Sequence, residues 1–392
     1  MKIGIGWQVG LPSGWGTYGM NLTLRLVTQG HQPVPLSLAQ QVSVTPLELR
    51  LLERPIQAFR MTQKLMELHG RLDLPHCVLH GLGDQLLFAG LSDRMQGIPD
   101  IGVLFMESAT VPEENLERAK ALPLIITGSS WNQRVLEGLG LTNARFCPQG
   151  IEPSLFHPAP RAGMLPKDRF VIFSGGKLEF RKGQDILIAA FREFQRAHPD
   201  ALLVTAWTNL WQSSLETLKS SRHVSGLPTL DERGKLGVHE WLVANGLPAD
   251  SIVDLGPVAN SAMPRLLGEA DLAVFPNRCE GGTNLVAMEA MACGVPCILS
   301  ANTGHFDLID KHNDVPTAYA IDRQIDIGEV TGTPRLKGWG ETTVEDLVAT
   351  MERAYANQAE RQAIGNAGAQ FMGQWSWDSQ VRKLVELIGS VS

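Results

Sequence analysis

Between Asp271 and Leu299 the chain reads as a strand, a glycine turn, a helix and a second strand. Asp271-Leu-Ala-Val-Phe275 is an unbroken apolar run, the pattern of a strand buried on both faces of a parallel sheet, and Pro276 ends it. Helix formers fill Asn284 to Cys293, Thr283 stands where an N-cap belongs, and Gly294 supplies the stop. A strand, glycine turn and helix start form a site for an anionic group, because free backbone N–H groups and the helix dipole point at it. Gly281, Gly282, Thr283, Asn284 and Leu285 occupy that place. Two carboxylates flank it, Glu280 before the turn and Glu289 inside the helix. Carboxylates repel an anion and suit hydroxyl groups, and phosphate beside hydroxyls points to a sugar nucleotide. The plain alternative is an ordinary βαβ unit with solvated glutamates.

The same alternation continues along the chain. Strand candidates are Lys2–Gly6, Pro33–Leu38, Cys77–His80, Ile101–Phe105, Leu124–Thr127 and Arg145–Cys147, then Arg169–Ser174, Leu202–Ala206, Ile252–Leu255, Leu272–Phe275 and Pro296–Leu299. Strands alternating with helical stretches imply an α/β chain with doubly wound parallel sheets. Its 392 residues suit two such domains. Ile151-Glu-Pro-Ser-Leu-Phe-His-Pro-Ala-Pro160 is too rich in proline for a helix or a central strand, which makes it the linker. The division expected is 1–158, 159–374 and a terminal amphipathic segment, 375–392. Residues 210–250 are longer and more polar than the plain fold requires, and the sequence assigns them no role.

A net charge of −7 argues against nucleic-acid binding, which needs clustered Lys and Arg. No apolar run reaches the length of a membrane span, and the chain opens on a strand rather than a signal peptide. Five scattered cysteines read as reduced thiols, and with them a cytoplasmic location is expected. Leu47 to Leu68 is amphipathic and carries Arg50, Arg54, Arg60 and Lys64. A solvated helix face is the plainer account of it, and weak peripheral membrane contact the alternative.

A second phosphate-binding element follows another apolar strand, in Ser174-Gly175-Gly176-Lys177-Leu178-Glu179-Phe180-Arg181-Lys182-Gly183. Lys177 and Lys182 are placed to meet a diphosphate leaving group through fixed cations, which stabilise the transition state more than the ground state. The alternative is a solvated basic loop. Together the two segments resemble the donor-site signature of the retaining glycosyltransferases of GT-B fold, family 4. Glu-Ala-Met-Ala-Cys-Gly-Val-Pro from Glu289 matches closely, as does Lys177 followed by Lys182-Gly183, with lysine in place of the usual arginine. Gln149-Gly150 and the proline segment after it resemble the hinge of the same family. One departure is the spacing: eight residues, Gly281 to Met288, separate the two glutamates instead of the usual seven.

The resemblance implies two Rossmann-like domains facing a cleft, with the donor on the second, the acceptor on the first and the last helix packed back on the first. It implies a metal-independent hexosyltransferase using a UDP- or GDP-sugar and no cofactor. The acceptor is a hydroxyl of a glycan, a lipid-linked or a small molecule. Glu289 is expected on the ribose hydroxyls and Glu280 on the transferred sugar, with Gly175, Lys177 and Lys182 at the diphosphate.

In the first domain, Gly4 and Gly6 lie within the opening strand and do not form a dinucleotide fingerprint. The loop Gly10 to Gly19 is the better candidate: Gly14 and Gly16 allow close approach of backbone to donor, and Trp15 covers a sugar ring. A tight βα turn is the alternative. His80 and Glu107 follow strand ends, where open sheets place ligands, and are the acceptor-side candidates; Glu107 orients or deprotonates the acceptor hydroxyl. As bare residues both also fit satisfied loop groups. A sugar phosphorylase of the same fold and a catalytically weak sugar-nucleotide scaffold stay open beside the transferase.

Overall fold

The computed structural model describes residues 1–10, 13–39, 44–88, 90–209, 211–231, 234–328 and 336–391. Leu11 and Pro12 of the first glycine loop, with 210 and 232–233 of the long polar segment, lie outside them. The chain divides into two compact units, Met1–Gly150 with Trp375–Ser392, and Ile151–Gln374. The split follows Gly150 and leaves the proline segment with the second unit, where the sequence places the boundary after Pro158.

The first unit holds β1 (Lys2–Val9), α1 (Gly14–Thr28), β2 (Gln32–Leu38), α2 (Pro46–His69) and β3 (Cys77–Leu82). They are followed by β4 (Asp100–Leu104), α3 (Glu113–Lys120), β5 (Ile125–Thr127), α4 (Ser130–Gly138) and β6 (Ala144–Phe146). The sheet runs β2-β1-β3-β4-β5-β6, every pairing parallel. Ile3, Ile5, Val78, Leu79, Ile101 and Val103 are sealed within it, which is why these strands read as apolar runs. The last helix, Trp377–Gly389, belongs to this unit: Trp377 stacks on Tyr18, ring centroids 5.9 Å apart.

The second unit holds β7 (Phe170–Lys177), α5 (Gln184–Ala197), β8 (Ala201–Thr208), α6 (Gln212–Glu216), α7 (Val238–Ala244) and β9 (Ile252–Asp254). Next come α8 (Met263–Leu267), β10 (Leu272–Phe275), α9 (Leu285–Ala292), β11 (Cys297–Ser300) and β12 (Tyr319–Ile321). Two helices, α10 (Val344–Ala356) and α11 (Gln358–Met372), complete it. The parallel order β9-β8-β7-β10-β11-β12 is that of a dinucleotide-type sheet. The order reverses between β7 and β10, so the segments leaving those two strands meet at the switch point, where open sheets bind ligands. The strand β12 has no counterpart among the sequence candidates. The long polar segment is not loose, since Leu215, Leu218, Val238, Trp241 and Leu242 enter the main core.

Among the described residues no helix is long and apolar enough to cross a membrane. Leu47–Leu68 lies within α2, which opens on a Thr45–Glu48 capping box and exposes Leu47, Met61 and Leu68.

Candidate active site

The site is built on the segments leaving β7 and β10. The sequence reading ends the first strand at Ser174 and places Gly175 in a phosphate loop. The strand continues to Lys177, and Gly175 pairs with Ala206 of β8. A Cβ at Gly175 would stand 2.8 Å from the Phe173 ring and 3.0 Å from Val286 of α9. Glycine is needed there to seat the helix against the strand.

Past Lys177 the chain makes a short 3-10 turn, Phe180–Lys182, closed by Gly183 at φ 68. A Cβ on Gly183 would stand 2.0 Å from the Pro276 carbonyl oxygen. The left-handed backbone and the absent side chain together press the Lys182 segment onto the one leaving β10. Five charged groups then form one chain. Lys177 Nζ lies 2.7 Å from Glu179 Oε2, and Arg181 Nη2 lies 2.6 Å from Glu179 Oε1. Arg181 Nη1 lies 3.1 Å from Glu280 Oε2, and Lys182 Nζ 2.5 Å from Glu280 Oε1. Asn277 Nδ2 donates to Glu280 Oε1 as well, and the Glu280 N–H donates to Thr303 Oγ1 at 2.7 Å. Three cations face two carboxylates, which leaves one positive charge over. Burial alone would raise the Glu280 carboxyl, but Lys182 and Arg181 overcome it and hold the group down at about 2. Glu179 is lowered against its burial by Arg181 and Lys177 in the same way.

Lys182 and Glu280 therefore do meet, but as an ion pair. The sequence reading gives Glu280 to sugar hydroxyls, whereas in this structure Lys182, Arg181 and Asn277 occupy both of its oxygens.

Four residues, Gly281 to Asn284, separate Glu280 from the next helix. The helix α9 begins at Leu285, and its cap is Asn284 at φ 62 instead of Thr283. Asparagine tolerates that left-handed backbone better than most residues. The Thr283 hydroxyl donates to Met288 Sδ at 3.0 Å, so it makes no cap. Behind the turn, His305 is fully buried. Its Nδ1 lies 3.2 Å from the Ser300 carbonyl oxygen, which can only accept, so Nδ1 carries the proton and Nε2 accepts from Asn284 Nδ2 at 3.1 Å. Burial pushes this imidazole down to about 4, which keeps it neutral in that tautomer. Glu289 falls in the second turn of α9 and accepts from Asn260 Nδ2 at 2.8 Å. Burial raises its carboxyl to about 7, and the Asn260 bond opposes the rise only in part. Gly281 is buried, and Gly282 is half-buried at the turn.

The first unit departs further from expectation. Its first helix begins at Gly14, inside the stretch expected as a loop through Gly19, with Ser13 as cap accepting from the Gly16 N–H at 3.2 Å. Gly14 is exposed at the first turn, and Gly16 is buried in it. Trp15 packs edge-on against Trp7, at 5.2 Å, and Phe105, at 4.8 Å, within an aromatic cluster. Glu107 follows β4, half-buried, its N–H donating to Asp84 Oδ1 at 2.8 Å. His80 is a correction. It is fully buried, with Nδ1 2.5 Å from Ser92 Oγ, Nε2 2.7 Å from Asp100 Oδ1, and the ring stacked on Phe88. The strand runs two residues past it to Leu82, both nitrogens are taken and no edge reaches solvent, so His80 ties the strand to Ser92 and Asp100 and cannot face an acceptor.

Residues 169–324 match the family model described as glycosyl transferases group 1. The second unit belongs to that family. Over 255 residues the chain is 28% identical to a GDP-mannose-dependent alpha-(1-6)-phosphatidylinositol monomannoside mannosyltransferase of Mycolicibacterium smegmatis, covering 62% of this chain and 55% of the relative. It is 27% identical over 242 residues to a D-inositol 3-phosphate glycosyltransferase of Segniliparus rotundus, covering 59% of this chain and 43% of the relative. The chain thus spans about half the length of the curated relatives it matches. Among solved structures it resembles sucrose-phosphate synthase of Thermosynechococcus elongatus, with a TM-score of 0.69, 17% identity, and coverage of 100% of this chain and 99% of the other. HepE of Anabaena, solved in complex with UDP and glucose, gives 0.67 at 16% identity, with 100% of both chains covered. The fold is GT-B.

Within this group 1 unit, four residues that sequence reasoning passed over carry much of the geometry: Glu179, Arg181, Asn277 and His305. Arg181 stands between the two lysines and reads as one more solvated cation, yet its side chain is buried. A buried arginine needs a carboxylate, and Glu179 two residues before it was the available signal.

Proposed function

We propose that this chain is a retaining, metal-independent glycosyltransferase that moves a sugar from a nucleoside diphosphate sugar to an acceptor hydroxyl. The observation that supports it is the Lys177–Glu179–Arg181–Glu280–Lys182 chain at the switch point of the second sheet, beside the start of α9. One positive charge in excess, with free N–H groups at a helix start, suits a diphosphate. In this reading Glu280 holds Lys182 in position before the donor arrives, so little reorganisation is left for the reaction itself. Lys177 and Lys182 neutralise the diphosphate as the bond from the anomeric carbon to phosphate oxygen breaks. The acceptor oxygen bonds to the same face of that carbon, and its proton passes to the departing phosphate oxygen, which preserves the anomeric configuration. Glu289, beside Asn260, takes the ribose hydroxyls, and no divalent ion is required where lysines supply the charge. The first unit is read as the acceptor-binding one, with Glu107 the group that orients the acceptor hydroxyl.

The donor named for the Mycolicibacterium smegmatis relative is GDP-mannose, and HepE was solved with UDP and glucose, which makes GDP- and UDP-sugars the first to test. A panel of UDP-, GDP- and ADP-sugars, assayed for transfer and hydrolysis with product anomers read by NMR, is the experiment. Nucleotide-dependent transfer with retention is expected. Release of a sugar 1-phosphate that depends on free phosphate and not on any nucleotide would replace the reading with a phosphorylase. Binding without turnover would leave a sugar-nucleotide scaffold.

A further inference from the structure

Arg278 is fully buried two residues before Glu280, and the donor reading gives it nothing to bind. Its Nε donates to Glu341 Oε2 at 2.6 Å, and its Nη1 to Asp185 Oδ1 and to the Phe180 carbonyl, both at 2.7 Å. Its Nη2 donates to Asp185 Oδ2 at 2.8 Å, and the guanidinium lies 3.8 Å from the centre of the Phe180 ring. The backbone joins in: the Arg278 N–H donates to the Arg181 carbonyl at 2.8 Å, and Gly340 N–H donates to the Arg278 carbonyl at 2.9 Å. One side chain thus ties Phe180–Asp185, which carries Lys182, to Asn277–Glu280, which carries its partner.

Both of its carboxylate partners reach into the long polar segment. Ser221 Oγ donates to Asp185 Oδ2 at 2.6 Å, and His223 Nε2 lies 3.8 Å from Glu341 Oε1. Only a planar fork can meet a bidentate carboxylate, a second carboxylate and a carbonyl at once, so lysine is not equivalent here. Filling the same volume with apolar side chains is often no less stable than a buried ion pair, so stability alone does not account for an arginine at this point.

We propose that Arg278 is a positioning residue that fixes the Lys182 and Glu280 segments against each other and transmits to them the placement of Ser221–His223. This rests on the donor reading only for its effect on ligand binding; the mechanical coupling stands without it. The segment around Ser221–His223 then has a use: its packing sets how well the two donor loops are ordered.

The test is hydrogen–deuterium exchange on the full chain without ligand, for wild type, Ser221→Ala, Arg278→Lys and Arg278→Met, with UDP and GDP binding measured alongside. Ser221→Ala removes no charge, only the hydroxyl that donates to Asp185, and is expected to lower Tm by a few degrees at most. It should raise exchange in both 179–183 and 279–284, and weaken the nucleotide that wild type binds by roughly threefold to tenfold. Arg278→Lys should do the same more strongly, with kcat affected less than KM for the donor. Ser221→Ala and Arg278→Lys that leave both segments at wild-type exchange, or raise exchange evenly across the unit, overturn the proposal. Wild type binding neither nucleotide counts against the donor reading, while the exchange measurement still decides the coupling.

Discussion

Glu280 and Glu289 stand at the two ends of one turn-and-helix segment, both buried, and their carboxyls move in opposite directions, to about 2 and to about 7. Burial acts on both alike and raises both. The difference lies in what each one faces: Glu280 has Lys182 and Arg181 within salt-bridge distance, and Glu289 has the neutral amide of Asn260. Fixed cations over-compensate the desolvation of one carboxylate, and a single amide cannot do so for the other. A permanently ionised acid that organises lysine suits the charged end of a donor. A carboxyl poised near neutrality suits a neighbour that offers hydroxyl protons.

Taking away the cation removes what sets Glu280 apart from Glu289. Lys182→Ala leaves Glu280 with Arg181 and Asn277 and, in the proposed reading, removes a charge from the leaving diphosphate. Turnover is expected to fall by roughly two to three orders of magnitude, the size seen when a preorganised electrostatic group is lost. Glu280→Gln in the same assay should cost less, because it frees Lys182 without removing it. Equal turnover in wild type and Lys182→Ala would take this charge chain out of the chemistry.

The next effect is on stability, and here the two acids oppose each other. Glu280 is depressed, so its contribution is present above about 4.5 and is lost as pH falls through about 2. Glu289 is raised, so the fold gains from its protonated form fully below about 4.5 and loses that gain as pH rises through about 7. A displacement of this size corresponds to something on the order of 3 kcal/mol in each case. Urea titrations from pH 3 to 8 should therefore show Glu289→Gln flattening the decline toward pH 8, while Glu280→Gln removes part of the loss toward pH 3. Glu289→Gln with an unaltered pH profile would mean that the acid is solvated in solution.

What the sequence made legible follows from where each interaction lies along the chain. The strand, turn and helix from Asp271 to Leu299 are local events, fixed by an apolar run, glycines and a helical stretch, and they stand close to where those signals put them. The offset of one residue at the cap is local too, yet it depends on His305, which holds Asn284 from across the turn. The ion pairs that join the two segments were not legible because their partners are far apart in sequence: Lys182 and Glu280 are separated by 98 positions, Arg278 and Asp185 by 93. Lys182 and Glu280 were each identified as important, but as contacts to a ligand and not to one another. In the first unit, His80 shows the opposite error. Its expected place at a strand end suggested function, but the strand runs on to Leu82, and Ser92 and Asp100, which occupy both nitrogens, carry no pattern that announces them. Gly175, spaced like a phosphate loop, has a further reason to be glycine that the sequence does not announce, the packing of Phe173 and Val286.

The two acids also differ in a way that needs no substitution to see. With a carboxyl at about 7, Glu289 is about half protonated at neutral pH. Hydroxyl groups that donate to it favour its ionised form, as hydrogen bonds to a carboxylate do, so donor binding should release part of that proton. Glu280 is already ionised and contributes nothing to the release. Calorimetric titration of the nucleotide at pH 7, in two buffers of different ionisation enthalpy, reads the number directly. Up to about half a proton should leave per donor bound, falling toward zero at pH 9 and disappearing in Glu289→Gln. Proton uptake in place of release would mean that the ligand's phosphates, and not its hydroxyls, lie beside Glu289, and would turn the assignment of the two acids around.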